Sequence, residues 1–180
     1  MGKGKYLLTG SPGSGKSTVM SRCAEQLCAL GITVGGISTP EIRRGGRRVG
    51  FSVVDLASGR RGLLAGTDIA SKLRVGRYGV DLEGFESVAL PALDHAERRC
   101  DVVCVDEVGR MELFSDTFRR RVEALLRGDK PMIAVVHRSY VGSYGGWGTL
   151  FHVSPENRER LPSRIAAGIM EDLGEAARGI

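Results

Sequence analysis

Apolar residues along this chain fall into two kinds of run that alternate. Short uninterrupted runs occur at Tyr6-Leu7-Leu8, Ile32 to Ser38, Asp101 to Val105 and Pro131 to Val136, and each predicts a buried strand. Between them, apolar residues recur at helical spacing: Val19, Met20, Cys23, Ala24, Leu27 and Cys28 until Gly31 stops them, then Phe85, Val88, Ala89, Ala92, Leu93 and Ala96 within Glu83 to Arg99. Phe114, Phe118, Val122, Leu125 and Leu126 form a third such face ending near Gly128, and Pro91 is expected to kink or split the second helix. Val49 to Leu56 and Gly62 to Ala65, joined through Gly59, predict an antiparallel pair appended to the main sheet, with Val75 to Val80 as an edge or connecting strand. Thr149 to Val153 predicts a last strand and Ser163 opens a closing helix. Strands alternating with helices imply an α/β fold, a mostly parallel sheet with helices on both faces and an antiparallel hairpin insert. At 180 residues the chain is expected to form one domain, residues 1–180.

Composition adds little to that picture: 42% hydrophobic and 26% charged residues, without low-complexity tracts, exclude neither catalysis nor binding but argue against disorder. No uncharged stretch approaches the length of a membrane span. The start, Met1-Gly2-Lys3-Gly4-Lys5-Tyr6, lacks a signal-peptide core, and Tyr6 stands where myristoylation wants Ser or Thr. A cytoplasmic monomer is expected. Cys23, Cys28, Cys100 and Cys104 lack CxxC spacing and read as small buried hydrophobes. The net charge of +5 rests on 21 Arg against 5 Lys, partly concentrated between Arg43 and Arg77. Such a surface suits weak nucleic-acid binding or an arginine lining for a triphosphate, and the second reading is preferred.

Chemistry enters at Gly10-Ser11-Pro12-Gly13-Ser14-Gly15-Lys16-Ser17-Thr18, which fits the phosphate-loop pattern G-x-x-x-x-G-K-[ST] and lies between a predicted strand and a predicted helix. Its glycines let backbone N–H groups close around a polyphosphate, Lys16 reaches the β/γ-phosphates, and Ser17 reaches a magnesium ion. Asp106 and Glu107 end the third apolar strand: Asp106 is placed to hold magnesium, and Glu107 to orient or deprotonate an attacking water. Neighbouring strand residues face opposite ways, so Glu107 is expected to serve only if the strand has ended and the backbone turns at Val108-Gly109. Asp106-Glu107-Val108-Gly109 also satisfies the D-x-x-G pattern of switch GTPases, but the guanine-reading N-K-x-D is absent downstream. Arg43, Arg44, Arg47 and Arg48 flank Gly45-Gly46, which reads as a solvated hairpin tip or as a loop closing arginines over phosphates. His137 and Arg138 follow a buried strand, where α/β sheets place ligands, and His137 reads either as a γ-phosphate sensor or as structural. Ser139 to Gly148, with four glycines, two tyrosines and Trp147, reads as a segment whose aromatics stack on a base or pack on the domain surface.

Together with the phosphate loop, Thr39-Pro40-Glu41-Ile42-Arg43, Gly46 to Phe51, Val75 to Asp81, Val105-Asp106-Glu107-Val108-Gly109-Arg110-Met111-Glu112-Leu113 and Asn157-Arg158 resemble the blocks of the THEP-type nucleoside-triphosphatases. The resemblance covers nearly the whole chain. It implies slow, magnesium-dependent hydrolysis of ATP, GTP and other triphosphates with broad base tolerance; Lys16, Ser17, Asp106 and Glu107 match the family's motif positions, and the nucleotide site includes Arg43, Arg47, Arg138, Asn157 and Arg158. The reaction expected is NTP + H2O → NDP + phosphate. The alternatives are a nucleotide or nucleoside kinase with Arg43 to Arg48 as a lid, and an ATP-dependent RNA-binding or switch module.

Overall fold

The computed structural model describes residues 4–178, so Met1, Gly2 and Lys3 of the N-terminal reading, and the ends of the expected 1–180 unit, lie outside the described residues. A ten-stranded sheet runs in the order β10-β1-β9-β8-β2-β4-β5-β7-β6, with β3 paired to β4. Its parallel part comprises β1 (Lys5–Thr9), β2 (Val34–Ser38), β8 (Val102–Val108), β9 (Met132–Val136) and β10 (Thr149–His152). The antiparallel extension is β3 (Glu41–Arg44), β4 (Arg47–Asp55), β5 (Arg61–Gly66), β6 (Arg74–Val75) and β7 (Tyr78–Val80).

Strand alternation divides the core. Leu8, Val102, Cys104, Ile133 and Val135 turn to one face, under α1 (Lys16–Ala29) and α5 (Leu161–Arg178). Leu7, Val103, Val105, Ala134 and Val136 turn to the other, under α2 (Leu82–Arg99) and α3 (Asp116–Arg127). With both faces covered, Val102 to Val105 must all be apolar, which is why β8 reads as a continuous run.

Pro91 does not split α2, which is one helix of 18 residues. The proline ring lies on the exposed face, while Val88, Ala89, Ala92 and Leu93 on either side are buried against the sheet, and that packing carries the helix past the missing N–H. Gly45 and Gly46, with φ of 54° and 76°, form the tip of the β3–β4 hairpin. Ser139 to Gly148 winds into helical turns, including α4 (Val141–Tyr144), that pack on the domain: Tyr144 is buried and Trp147 lies against the core with Arg127 over its ring. Three cysteines are buried as expected, but Cys28 is exposed. Among the described residues no helix is long and apolar enough to cross a membrane.

Candidate active site

Register aligns the strand ends that carry the chemistry. Ser38 pairs with Asp106, Asp106 with Val135, and Leu8 with Val135, so the phosphate loop after Thr9, the acids of β8 and His137-Arg138 after β9 meet at one edge of the sheet. They line a single open cavity of about 1000 Å³ together with residues of α1 and the antiparallel extension.

The loop from Gly10 to Gly15 bends where only glycine fits: a Cβ on Gly10, whose φ is 155°, would lie 2.6 Å from the Val153 carbonyl oxygen. Gly15 starts α1 in the left-handed region with no side-chain cap and no acid in the first turn. The first helical bond runs from Val19 N–H to Gly15 O, so the N–H groups of Lys16, Ser17 and Thr18 and the positive helix end are available to an anion. Lys16 Nζ donates to the carbonyls of Gly10 (3.1 Å) and Ser11 (2.9 Å), which keeps the ammonium over the loop.

Asp106 is buried, and burial raises its carboxyl to about 6 despite a hydrogen bond from the Ser17 hydroxyl and the charge of Lys16. Glu107 is raised by burial and lowered by Lys16. Contrary to expectation the strand has not ended at Glu107, since β8 continues to Val108; pairing with β9 instead skips from Asp106 to Val108. This bulge leaves Glu107 unpaired and re-aims it, so that both carboxylates line the same cavity. Ser17 and Asp106 form a pair of hard oxygen donors suited to magnesium. Among the described residues no three His, Cys, Asp or Glu are grouped to hold a metal ion.

His137 Nδ1 accepts from the Ser139 N–H at 3.2 Å, and burial, with Arg138, Lys16 and Arg110 nearby, lowers its pKa. The neutral ring therefore carries its proton on Nε2, as a donor.

The cavity gathers Gly10, Pro12, Gly13, Gly15, Lys16, Ser17, Thr18, Asp106, Glu107 and Arg138 of the expected site. Ser11 gives its carbonyl to Lys16, and Ser14 is buried within the loop with its hydroxyl unpartnered. The remaining four lie elsewhere. Arg43 turns back to Glu41 and to the Gly46 carbonyl, Arg47 is exposed on the hairpin, and Asn157 ties the β10 turn through Ser154 N–H and His152 O. Arg158 packs along the outside of Gly15.

Two residues that the sequence reading has only within the block Val105 to Leu113, without a role, stand here: Arg110, exposed at the cavity, and Glu112, buried. A Cβ on Gly109 would lie 2.7 Å from Glu107 Oε1 and 2.9 Å from Glu112 Oε2, so the two carboxyls crowd one small space. Burial and the charges of Glu107 and Asp106 push Glu112 up to about 8, and it is protonated at neutral pH. Its O–H can donate to Thr39 Oγ1 (3.3 Å), which donates onward to the Asp106 carbonyl (2.9 Å). Because the native pKa lies above the ordinary 4.5, the neutral acid's contribution to stability is complete below pH 4.5 and is lost as pH rises to about 8. Glu112→Gln should therefore raise the melting temperature over wild type increasingly between pH 6 and 8.5, by roughly 2–4 °C per kcal/mol recovered. A difference that does not change with pH would contradict this.

A glycine-rich loop opening a helix, beside an acid-ended strand of the same parallel sheet, defines a phosphate-loop nucleotide-binding protein. The profile of the family described as NTPase matches residues 5–166, and the chain belongs to that family. It is 47% identical to the nucleoside-triphosphatase THEP1 of Methanothermobacter thermautotrophicus, over 89% of this chain and 93% of that relative. The Pyrococcus abyssi protein of the same name is 41% identical, over 94% of each. The crystal structure of THEP1 from Aquifex aeolicus superposes with a TM-score of 0.78 at 31% identity, covering 89% of this chain and 96% of that one. The solution structure of a human cancer-related nucleoside triphosphatase gives 0.77 at 34%, covering 93% and 97%.

Proposed function

We propose that this NTPase catalyses NTP + H2O → NDP + phosphate in the cavity, with magnesium held by Ser17 and Asp106. The observation that carries the reading is the β8 bulge, which sets Glu107 beside Asp106 in the cavity that also holds Lys16. The loop N–H groups and Lys16 bind the β- and γ-phosphates, Glu107 positions and polarises water, and the His137 Nε2 proton is available to a phosphoryl oxygen. Magnesium, when bound, would neutralise charge growing on the transferring phosphoryl group. Loop contacts to phosphates are common to all triphosphates, which supports broad base tolerance. Turnover should be slow, of order 10⁻² per second, as for phosphate-loop proteins that carry their arginine in cis.

The arginine field narrows. Arg43 and Arg44 are engaged with Glu41 and Asp68, whereas Arg110 and Arg138 are exposed at the cavity near His137. Arg138→Ala or Arg110→Ala should slow turnover by roughly tenfold, short of the 10³ of a full arginine finger, while Arg43→Ala and Arg47→Ala leave it intact. Steady-state rates decide this, and equal rates for all four variants would remove arginine from the transition state.

The exposed arginines of the extension support no more than weak, salt-sensitive contact with nucleic acid, and in this reading the chain works as a cytoplasmic monomer. Phosphate release from ATP, GTP, CTP and UTP, with magnesium and with a chelator, tests the function. All four should be hydrolysed only with metal; release that survives chelation would overturn the assignment of Ser17 and Asp106.

A further inference from the structure

Met111-Glu112-Leu113 follows β8 in a tight turn. The Leu113 N–H bonds the Gly109 carbonyl at 3.0 Å and the Ser115 N–H bonds the Glu112 carbonyl at 3.1 Å, so the chain turns back on the strand end. Met111 and Leu113 pack against the core, and Glu112 goes inward with them, 3% exposed. Burying a carboxyl is costly unless it gains partners. No basic side chain forms an ion pair with this one among the described residues; its neighbours are Thr39 and Glu107.

These contacts make a brace. Thr39, just past β2, donates to the Asp106 carbonyl at 2.9 Å and stands 3.3 Å from Glu112 Oε1, which ties the buried carboxyl to the last residue of β8 before the bulge. The other oxygen, Oε2, is on the side of Glu107: it and Glu107 Oε1 both lie within 2.9 Å of the point where a Cβ on Gly109 would sit. Glu112 holds its proton at neutral pH, so it sets an uncharged group, and not a second negative charge, against Glu107.

Glu107 needs such a support. The bulge frees it from pairing with β9, and it borders an open cavity in which a side chain with three rotatable bonds has room to turn. Displacing a reacting group by about 1 Å can cost on the order of 10² in rate.

We infer that Glu112 is a positioning residue for hydrolysis: braced by Thr39, its carboxyl stands behind Glu107 and holds that side chain toward the γ-phosphate. The inference rests on the hydrolase reading, in which Glu107 positions and polarises water. Glu112 itself touches neither the triphosphate nor the water.

Steady-state rates test it. Glu112→Ala should lower kcat by roughly tenfold or more with KM for MgATP within about twofold, and Glu112→Gln, which keeps the shape and a neutral hydrogen-bonding end, should stay within about threefold of wild type. Thr39→Val removes the hydroxyl and keeps the branched shape; it should slow kcat in the same way and keeps the test independent should Glu112→Ala fold poorly. Asp106 is paired in the sheet on both sides, so its backbone does not depend on Thr39. The decisive arm is a double-mutant cycle: with Glu107→Gln already present, neither Glu112→Ala nor Thr39→Val should slow the residual rate further, because the base they position is gone. Wild-type kcat in both variants, or losses that multiply in the Glu107→Gln background as independent damage would, overturns the positioning role alone. A Glu107→Gln enzyme as fast as wild type would instead strike the hydrolase reading beneath it.

Discussion

Glu107→Gln is expected to lower phosphate release by roughly 10² or more while leaving MgATP affinity close to wild type, the usual scale of a lost general base. Glutamine keeps the size and the hydrogen bonding of the side chain, so binding through Lys16 and the loop N–H groups is untouched; what disappears is the acceptor for water's proton. Burial holds Glu107 above the ordinary carboxylate range, and Asp106 about 6. Wild-type turnover should therefore rise with pH as these groups ionise, at a higher pH than ordinary carboxylates would, and the limb due to Glu107 should vanish in the glutamine variant. Asp106→Asn should behave differently, weakening the magnesium dependence of binding. Rates and calorimetric affinities measured side by side separate the two; phosphate release unchanged in Glu107→Gln would remove this residue from the mechanism.

Lys16→Ala should abolish or severely weaken triphosphate binding. Arg110 and Arg138 lie at the cavity's edge, exposed to water, whereas Lys16 is tethered within the loop by the Gly10 and Ser11 carbonyls. A charge-assisted contact at a helix N-terminus is not replaced by guanidinium groups that water solvates. Calorimetry with a non-hydrolysable ATP analogue checks it, and affinity unchanged within about twofold would sink the placement of the phosphates in this loop.

The parts of this site legible in sequence are those that short-range chemistry determines. The phosphate loop needs glycines at fixed offsets, and β8 needs Val102 to Val105 apolar because both its faces are covered. Asp106 follows from that run, since the strand's carboxyl end is where a ligand sits. Glu107 lines the cavity, but its direction comes from a pairing irregularity with β9, a tertiary feature that no local pattern announces, and not from a strand that has ended before it. Glu112 received no role because the contact that encloses its carboxyl comes from Thr39, 73 positions away. An acid flanked by two apolar residues just past a catalytic strand was the available signal. Of the basic loop, Arg48 lines the cavity, while Arg43 turns back to Glu41 within the same hairpin, a pairing visible at two residues' distance. Asn157 shows the reverse limit, since a residue read as part of the nucleotide site instead closes a turn by bonding Ser154 and His152.

The central claim is that water attacks the γ-phosphorus of a triphosphate seated in this loop, and hydrolysis of MgATP in ¹⁸O-enriched water tests it most directly. Mass spectrometry of the products should find one solvent-derived oxygen in the released phosphate and none in the ADP. Label in the diphosphate, or products of AMP and pyrophosphate, would contradict the account.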